Sequence, residues 1–156
     1  MSNTPSLSVG DPAPDFAAET DGDSPISLAE LHGRAFVLYF YPKDDTPGCT
    51  AEACDFRDQQ PAFADKDTMI LGVSPDSVAR HRKFRDKYNL NFRLLADPEH
   101  VIAEAWGVWR EKKNYGKTYM GIVRATFVVD ATGTITAIYD NVRVKGHAAK
   151  VLAELG

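Results

Sequence analysis

The apolar positions of this chain fall into two kinds of short block, continuous runs and stripes at helical spacing, and the two kinds alternate. The run AFVLYFY, Ala35 to Tyr41, is apolar throughout and rich in β-branched and aromatic residues, the pattern of a strand buried on both faces at a sheet centre. Ahead of it, Ser27 and Glu30 stand at capping-box spacing with Gly33 behind them, which predicts a short superficial helical turn. Behind it, the turn-rich PKDDTPGC leads into a helix predicted from Thr50 to about Gln60 and ended by Pro61. A strand from Met69 to Val73, a helix from Ser77 to Tyr88 and a short strand from Phe92 to Leu95 follow. The next helix is opened by Asp97 and Pro98 and stopped at Gly107. ATFVVD and TITAIYD flank the turn Ala131 to Gly133 as a hairpin, and Ala148, Val151, Leu152 and Leu155 mark an amphipathic terminal helix. Strands alternating with helices predict an α/β fold.

No internal repeat or low-complexity run interrupts this order, and only the stretch before Val9 reads as disordered. With 156 residues and 44% hydrophobic composition, residues 1–156 are expected to form one domain burying ~70% of its unfolded surface. The formal net charge is -4, with Lys and Arg scattered among the acids, so no basic patch suited to nucleic acid is present. Apolar runs such as residues 35–41 fall well short of the ~20 residues a membrane helix needs, and the polar N-terminus lacks a signal-peptide core. No membrane association and a soluble, cytoplasmic protein are the expectation.

Two cysteines in a chain of this size do not make a disulfide framework, and the four histidines lie far from them and from one another in sequence. No metal or other cofactor is expected. Cys49 sits where the chain opens a helix, so free N–H groups and the positive dipole end favour a thiolate, the nucleophilic form. Asp44 and Asp45 oppose this unless they point away or a cation offsets them. Cys54 follows five residues later, a rise of about 7.5 Å and a turn of roughly 140° in a regular helix. That exceeds the ~7 Å Cα separation a disulfide tolerates, so pairing requires the first helical turns to unwind. From spacing alone, both cysteines could equally be small buried core residues, Thr46 an N-cap, and Pro42 and Pro47 shapers of the turn.

The string FYPKDDTPGCTAEAC, Phe40 to Cys54, resembles the active-site segment of peroxiredoxins of the bacterioferritin-comigratory, or Q-type, subfamily. The spacing Pro-x-x-x-Thr-x-x-Cys is specific, and the resemblance continues through VGDPAPDF, GVWREK and GKTYMGIVRATFVVD. It implies a thioredoxin-like fold with a central mixed sheet flanked by helices and an N-terminal extension. It also implies that Cys49 is the peroxidatic cysteine, that Pro42, Thr46 and Arg124 complete the site, and that Cys54 resolves the oxidised intermediate. Ala125 stands where some relatives carry Ser or Thr, which touches a supporting hydrogen bond and not the reaction.

On this reading Thr46 and Arg124 donate to the peroxide as negative charge develops on its leaving oxygen, and Arg124 offsets Asp44 and Asp45. Cys49 sulfenic acid then condenses with Cys54, and an external dithiol protein such as a thioredoxin reduces the disulfide. Hydrogen peroxide and organic hydroperoxides are the implied substrates, and a monomer the implied state. Two other functions fit the same cysteines: a protein thiol–disulfide oxidoreductase, although C-x-x-C spacing is absent, and a redox-responsive holdase. Trp106, Trp109, Tyr115 and Tyr119 are expected in the core without a site role, the histidines at the surface or partly buried, and Glu52 only as a favourable charge for the helix dipole.

Overall fold

The computed structural model describes residues 7–155. The stretch predicted as disordered falls mostly on residues 1–6, outside the described residues.

Five strands form the central sheet: β3 (Ala35–Phe40), β4 (Thr68–Ser74), β5 (Arg93–Ala96), β8 (Ala125–Val129) and β9 (Ile135–Tyr139). They lie in the order β5-β4-β3-β8-β9, with β3, β4 and β5 parallel and β8 and β9 antiparallel to their neighbours. β3 is central, as its unbroken apolar run predicts, and its side chains divide by strand alternation between two cores. Phe36, Leu38 and Phe40 join Phe16, Leu31, Trp106 and Phe127 on one face. Val37, Tyr39 and Tyr41 face the other, beneath α1 (Pro47–Asp65), α2 (Val78–Tyr88) and α4 (His147–Glu154). This is the mixed sheet flanked by helices that the resemblance implies.

Two short strands, β1 (Ala17–Ala18) and β2 (Ile26–Ser27), and a 3-10 turn at Ala29–Leu31 precede β3. α3 (Val101–Ala105) is a single turn that begins later than Asp97 suggested. Asp97 still caps it, because its carboxylate accepts from the Ile102 and Ala103 N–H groups at 3.1 and 2.9 Å.

Two features depart from the sequence reading. Residues 109–122 form an antiparallel ribbon, β6 (Trp109–Asn114) and β7 (Lys117–Ile122), turned by Tyr115 and Gly116 at φ 52 and 76. WREKKN and KTYMGI carry neither strand nor helix periodicity, because most of the ribbon stands in solvent. Tyr115 and Tyr119 are accordingly exposed, whereas Trp106 is core as expected.

The second departure is α1, which starts at Pro47 and runs through Pro61 to Asp65. Pro61 has no N–H for the carbonyl four residues back, which usually ends a helix. Here the Asn91 side chain supplies the missing donor, with Nδ2 3.2 Å from the Arg57 carbonyl. A residue 34 positions away in sequence thus permits a helix that local rules would stop.

Candidate active site

The loop after β3 carries its chain from the sheet to the α1 N-terminus, and a buried polar network fixes it. The Tyr41 hydroxyl donates to Asp44 Oδ1 at 2.6 Å, His81 Nδ1 stands 2.6 Å from Oδ2, and the Asp44 N–H donates to Asp76 at 2.8 Å. His81 Nε2 faces the Leu95 carbonyl at 2.9 Å and so carries a proton. Asp45, at φ 60, accepts from Lys87 at 2.8 Å and from the Tyr88 hydroxyl at 2.6 Å, bonds that pull its carboxyl below the usual carboxylate range. Both aspartates are thus bonded to partners other than the thiol, one of the two alternatives that would let a Cys49 anion stand.

Asp44, Asp76 and His81 offer ligand atoms within 4.8 Å of one another. Tyr41, Ser74 and Arg80 already satisfy these atoms, which closes the cluster with the protein's own hydrogen bonds. His81 and His147 are buried rather than superficial; His147 bonds the Thr126 hydroxyl at 2.8 Å, and burial pushes its imidazole down to about 4.

Pro47 occupies the first position of α1, where a missing N–H costs nothing, which leaves Cys49 in the first turn. Its side chain is buried. Arg124, between β7 and β8, reaches back over it: Nη2 donates to the Cys49 sulfur at 3.3 Å, and Nη1 to Glu52 Oε1 at 2.6 Å. The other alternative, a cation at the sulfur, is present as well. Burial works against the Arg124 charge, yet Glu52 and Cys49 beside it raise its pKa above the ordinary guanidinium value. Gly48 leaves room for this approach, since a Cβ there would stand 3.3 Å from Nη2.

Of the other expected site residues, Pro42 lies half-buried in the same loop, and Thr46 is the N-cap residue, its carbonyl accepting from the Thr50 N–H at 2.8 Å. The Thr46 hydroxyl donates to the Lys43 carbonyl at 2.9 Å, so its proton is engaged and its oxygen is left as an acceptor. Cys54 is half-buried on the same helix as Cys49, and both are free thiols. The regular helix between them keeps them apart, as spacing predicts.

Glu52 is the residue that sequence reasoning missed. It is buried against Arg124, not displayed to the helix dipole, and burial pushes its carboxyl up to about 7 against the pull of Arg124. Its Oε2 has no hydrogen-bond partner among the described residues. The available signal was its place one turn after Cys49, on the same helix face.

The sequence profile of the AhpC/TSA family matches residues 9–138. The chain belongs to that family. It is 50% identical over 149 residues to Peroxiredoxin Bcp of Bacillus subtilis, covering 96% of this chain and 95% of the relative. Peroxiredoxin Bcp of Escherichia coli is 39% identical, with 94% of each chain covered. Among solved structures, a mutant of Xylella fastidiosa PrxQ superposes with TM-score 0.90 at 33% identity over 96% of each chain. The Xanthomonas campestris bacterioferritin comigratory protein, described for its alkyl peroxide reduction activity, gives 0.85 at 39% identity over 88% of each chain. The chain is therefore a thiol-dependent peroxidase of the peroxiredoxin type on a thioredoxin-like fold, and its family works with hydroperoxides and thioredoxin-type reductants.

Proposed function

We propose that Cys49 is the peroxidatic nucleophile and Cys54 the resolving thiol, with Arg124, Thr46 and Pro42 completing the site, and with residues 1–156 acting as one domain. The observation that carries this reading is the Arg124 guanidinium nitrogen 3.3 Å from a buried cysteine sulfur at a helix N-terminus. The thiolate attacks the terminal oxygen of a hydroperoxide, forming an S–O bond as the O–O bond breaks. The products are Cys49 sulfenic acid and an alkoxide or hydroxide, which takes a proton to leave as alcohol or water. A guanidinium already fixed over the sulfur meets the charge growing on the leaving oxygen without reorganisation. Thr46, its own proton held by the Lys43 carbonyl, accepts from the substrate O–H and aims the reacting oxygen. Pro42 presents no N–H to recruit water at the thiol.

Cys54 thiolate then attacks the Cys49 sulfenic sulfur, forming the S–S bond and expelling hydroxide. A thioredoxin or similar dithiol protein returns both thiols. Hydrogen peroxide and organic hydroperoxides are the substrates, in the cytoplasm, and the protein works as a monomer without metal, cofactor, nucleic acid or membrane. No helix among the described residues is long and apolar enough to cross a membrane.

Stopped-flow tryptophan fluorescence with hydrogen peroxide, paired with intact mass, tests the two cysteine roles. The unmodified chain should lose two hydrogens. Cys54→Ser should gain one oxygen and over-oxidise, and Cys49→Ser should not react. A Cys54→Ser protein that turns over with thioredoxin at full rate would remove Cys54 from the reaction.

A further inference from the structure

We infer that Asn91 and Arg57 clamp α1 at its proline, so that disulfide formation unwinds only the turns before this junction and moves Cys49 toward a held Cys54. The inference rests on the reading of Cys54 as the resolving thiol.

The clamp is reciprocal. Pro61 deprives the Arg57 carbonyl of its helical partner, and Asn91 Nδ2 donates to it at 3.2 Å. Arg57 in turn sends Nη1 to the Tyr88 carbonyl at 2.7 Å, one of the carbonyls the end of α2 leaves without a helical donor. Each element thus satisfies a backbone group that the other leaves open. The remaining guanidinium nitrogens hold Asp58 at 3.0 Å. Arg57 lies three residues beyond Cys54, on the same helix face, so the clamp sits immediately behind the resolving thiol.

The core reinforces this end of the segment. Phe56 is fully buried and stacks on Tyr39 with ring centroids 4.6 Å apart, and Phe63 is buried beyond the proline. The N-terminal end is held differently. Cys49 and Ala53 are small side chains in the same core, and Arg124 ties this end through Glu52 and through the Cys49 sulfur, a contact that changes once the sulfur carries oxygen. When Cys54 attacks the sulfenic acid, the S–S bond requires the residues between the cysteines to leave the helix. With Arg57 and Phe56 fixed, the freedom must come from residues 47–53. The proline then acts as a stop, because beyond it a new run of helical bonds begins that the opening does not draw on.

Hydrogen–deuterium exchange of the reduced and peroxide-oxidised protein reads this directly. Oxidation should remove protection from peptides covering residues 50–56 and leave residues 62–66 and 88–92 as protected as in the reduced form. Exchange that opens through residue 65 in the disulfide form overturns the clamp; a protein that forms no Cys49–Cys54 disulfide overturns the reading beneath it.

Asn91→Ala is the second arm. Sulfenic acid formation should keep its rate, whereas the following step should slow several-fold and exchange in the oxidised form should spread past Pro61. Adding Pro61→Ala, which restores the helical donor to the Arg57 carbonyl, should recover thermal stability without recovering the rate of disulfide formation. An Asn91→Ala protein with an unchanged second step, or one whose second step is recovered by Pro61→Ala together with stability, would reduce the contact to ordinary structural support.

Discussion

Arg124 and Glu52 hold each other across the space between the β7–β8 connection and α1, Nη1 donating to Oε1 at 2.6 Å while Nη2 donates to the Cys49 sulfur at 3.3 Å. The carboxylate sets the guanidinium plane, and the plane sets the donor at the sulfur. Arg124 is only slightly exposed and Glu52 fully buried, so solvent screening does little to weaken the arrangement.

Arg124→Ala removes the donor and leaves Glu52 buried without a partner. Peroxide reactivity should fall about 100-fold, the scale of losing one preorganised transition-state donor. Arg124→Lys should recover only part of it, because an ammonium cannot serve two acceptors in one fixed plane. Rapid-mixing rates with hydrogen peroxide decide this, and an unchanged rate in Arg124→Ala would take Arg124 out of the site.

Glu52 gives the protein a pH signature. Burial raises its carboxyl from 4.5 in the unfolded chain to about 7. Between those values the folded state binds the extra proton, so this group makes stability decline as pH rises from 4.5 through about 7. Glu52→Gln should lack that decline. Denaturant melts at pH 5 and pH 8 should show a larger loss for the unmodified chain than for the variant; equal losses would contradict the raised carboxyl.

Gly48→Ala should separate stability from activity. Alanine favours a helix over glycine by ~0.5–1 kcal/mol. The added Cβ, however, meets Arg124 Nη2 at 3.3 Å and pushes the guanidinium off its line to Cys49. A protein at least as stable but about tenfold slower toward peroxide is expected, since small misplacements of a positioned group cost that much or more. An unimpaired rate would mean that the guanidinium tolerates the crowding.

Tyr39→Phe should stabilise the fold. The Tyr39 hydroxyl is buried without a hydrogen-bond partner among the described residues and lies against Gly72, where even a Cβ would stand only 3.0 Å from it. Removing an unsatisfied buried hydroxyl recovers its desolvation cost, ~1 kcal/mol or somewhat more. A lower denaturation midpoint in the variant would show that the hydroxyl has a partner worth more than that cost.

The alternation of elements, the central place of β3 and the closing hairpin were legible in the sequence, because burial on one or two faces writes itself into the apolar period. So was the position of Cys49 at a helix N-terminus, and the specific Pro-x-x-x-Thr-x-x-Cys string with Arg124 far downstream. What local pattern does not carry is which distant groups satisfy one another. Pro61 reads as a stop until Asn91 is seen donating to Arg57. Asp44 and Asp45 read as a threat to the thiolate until His81, Tyr41, Lys87 and Tyr88 are seen bonding their carboxyl groups. Glu52 reads as a charge for the helix dipole until Arg124 meets it. The sequence by itself determined the element types, the place of Cys49 at a helix start and the family resemblance, since each is recorded in short-range spacing. Only the tertiary structure decided how the charges are paired, which way the Thr46 hydroxyl points and where the helix holds, because those depend on contacts between residues 30 to 75 positions apart or on a local geometry with more than one satisfactory solution.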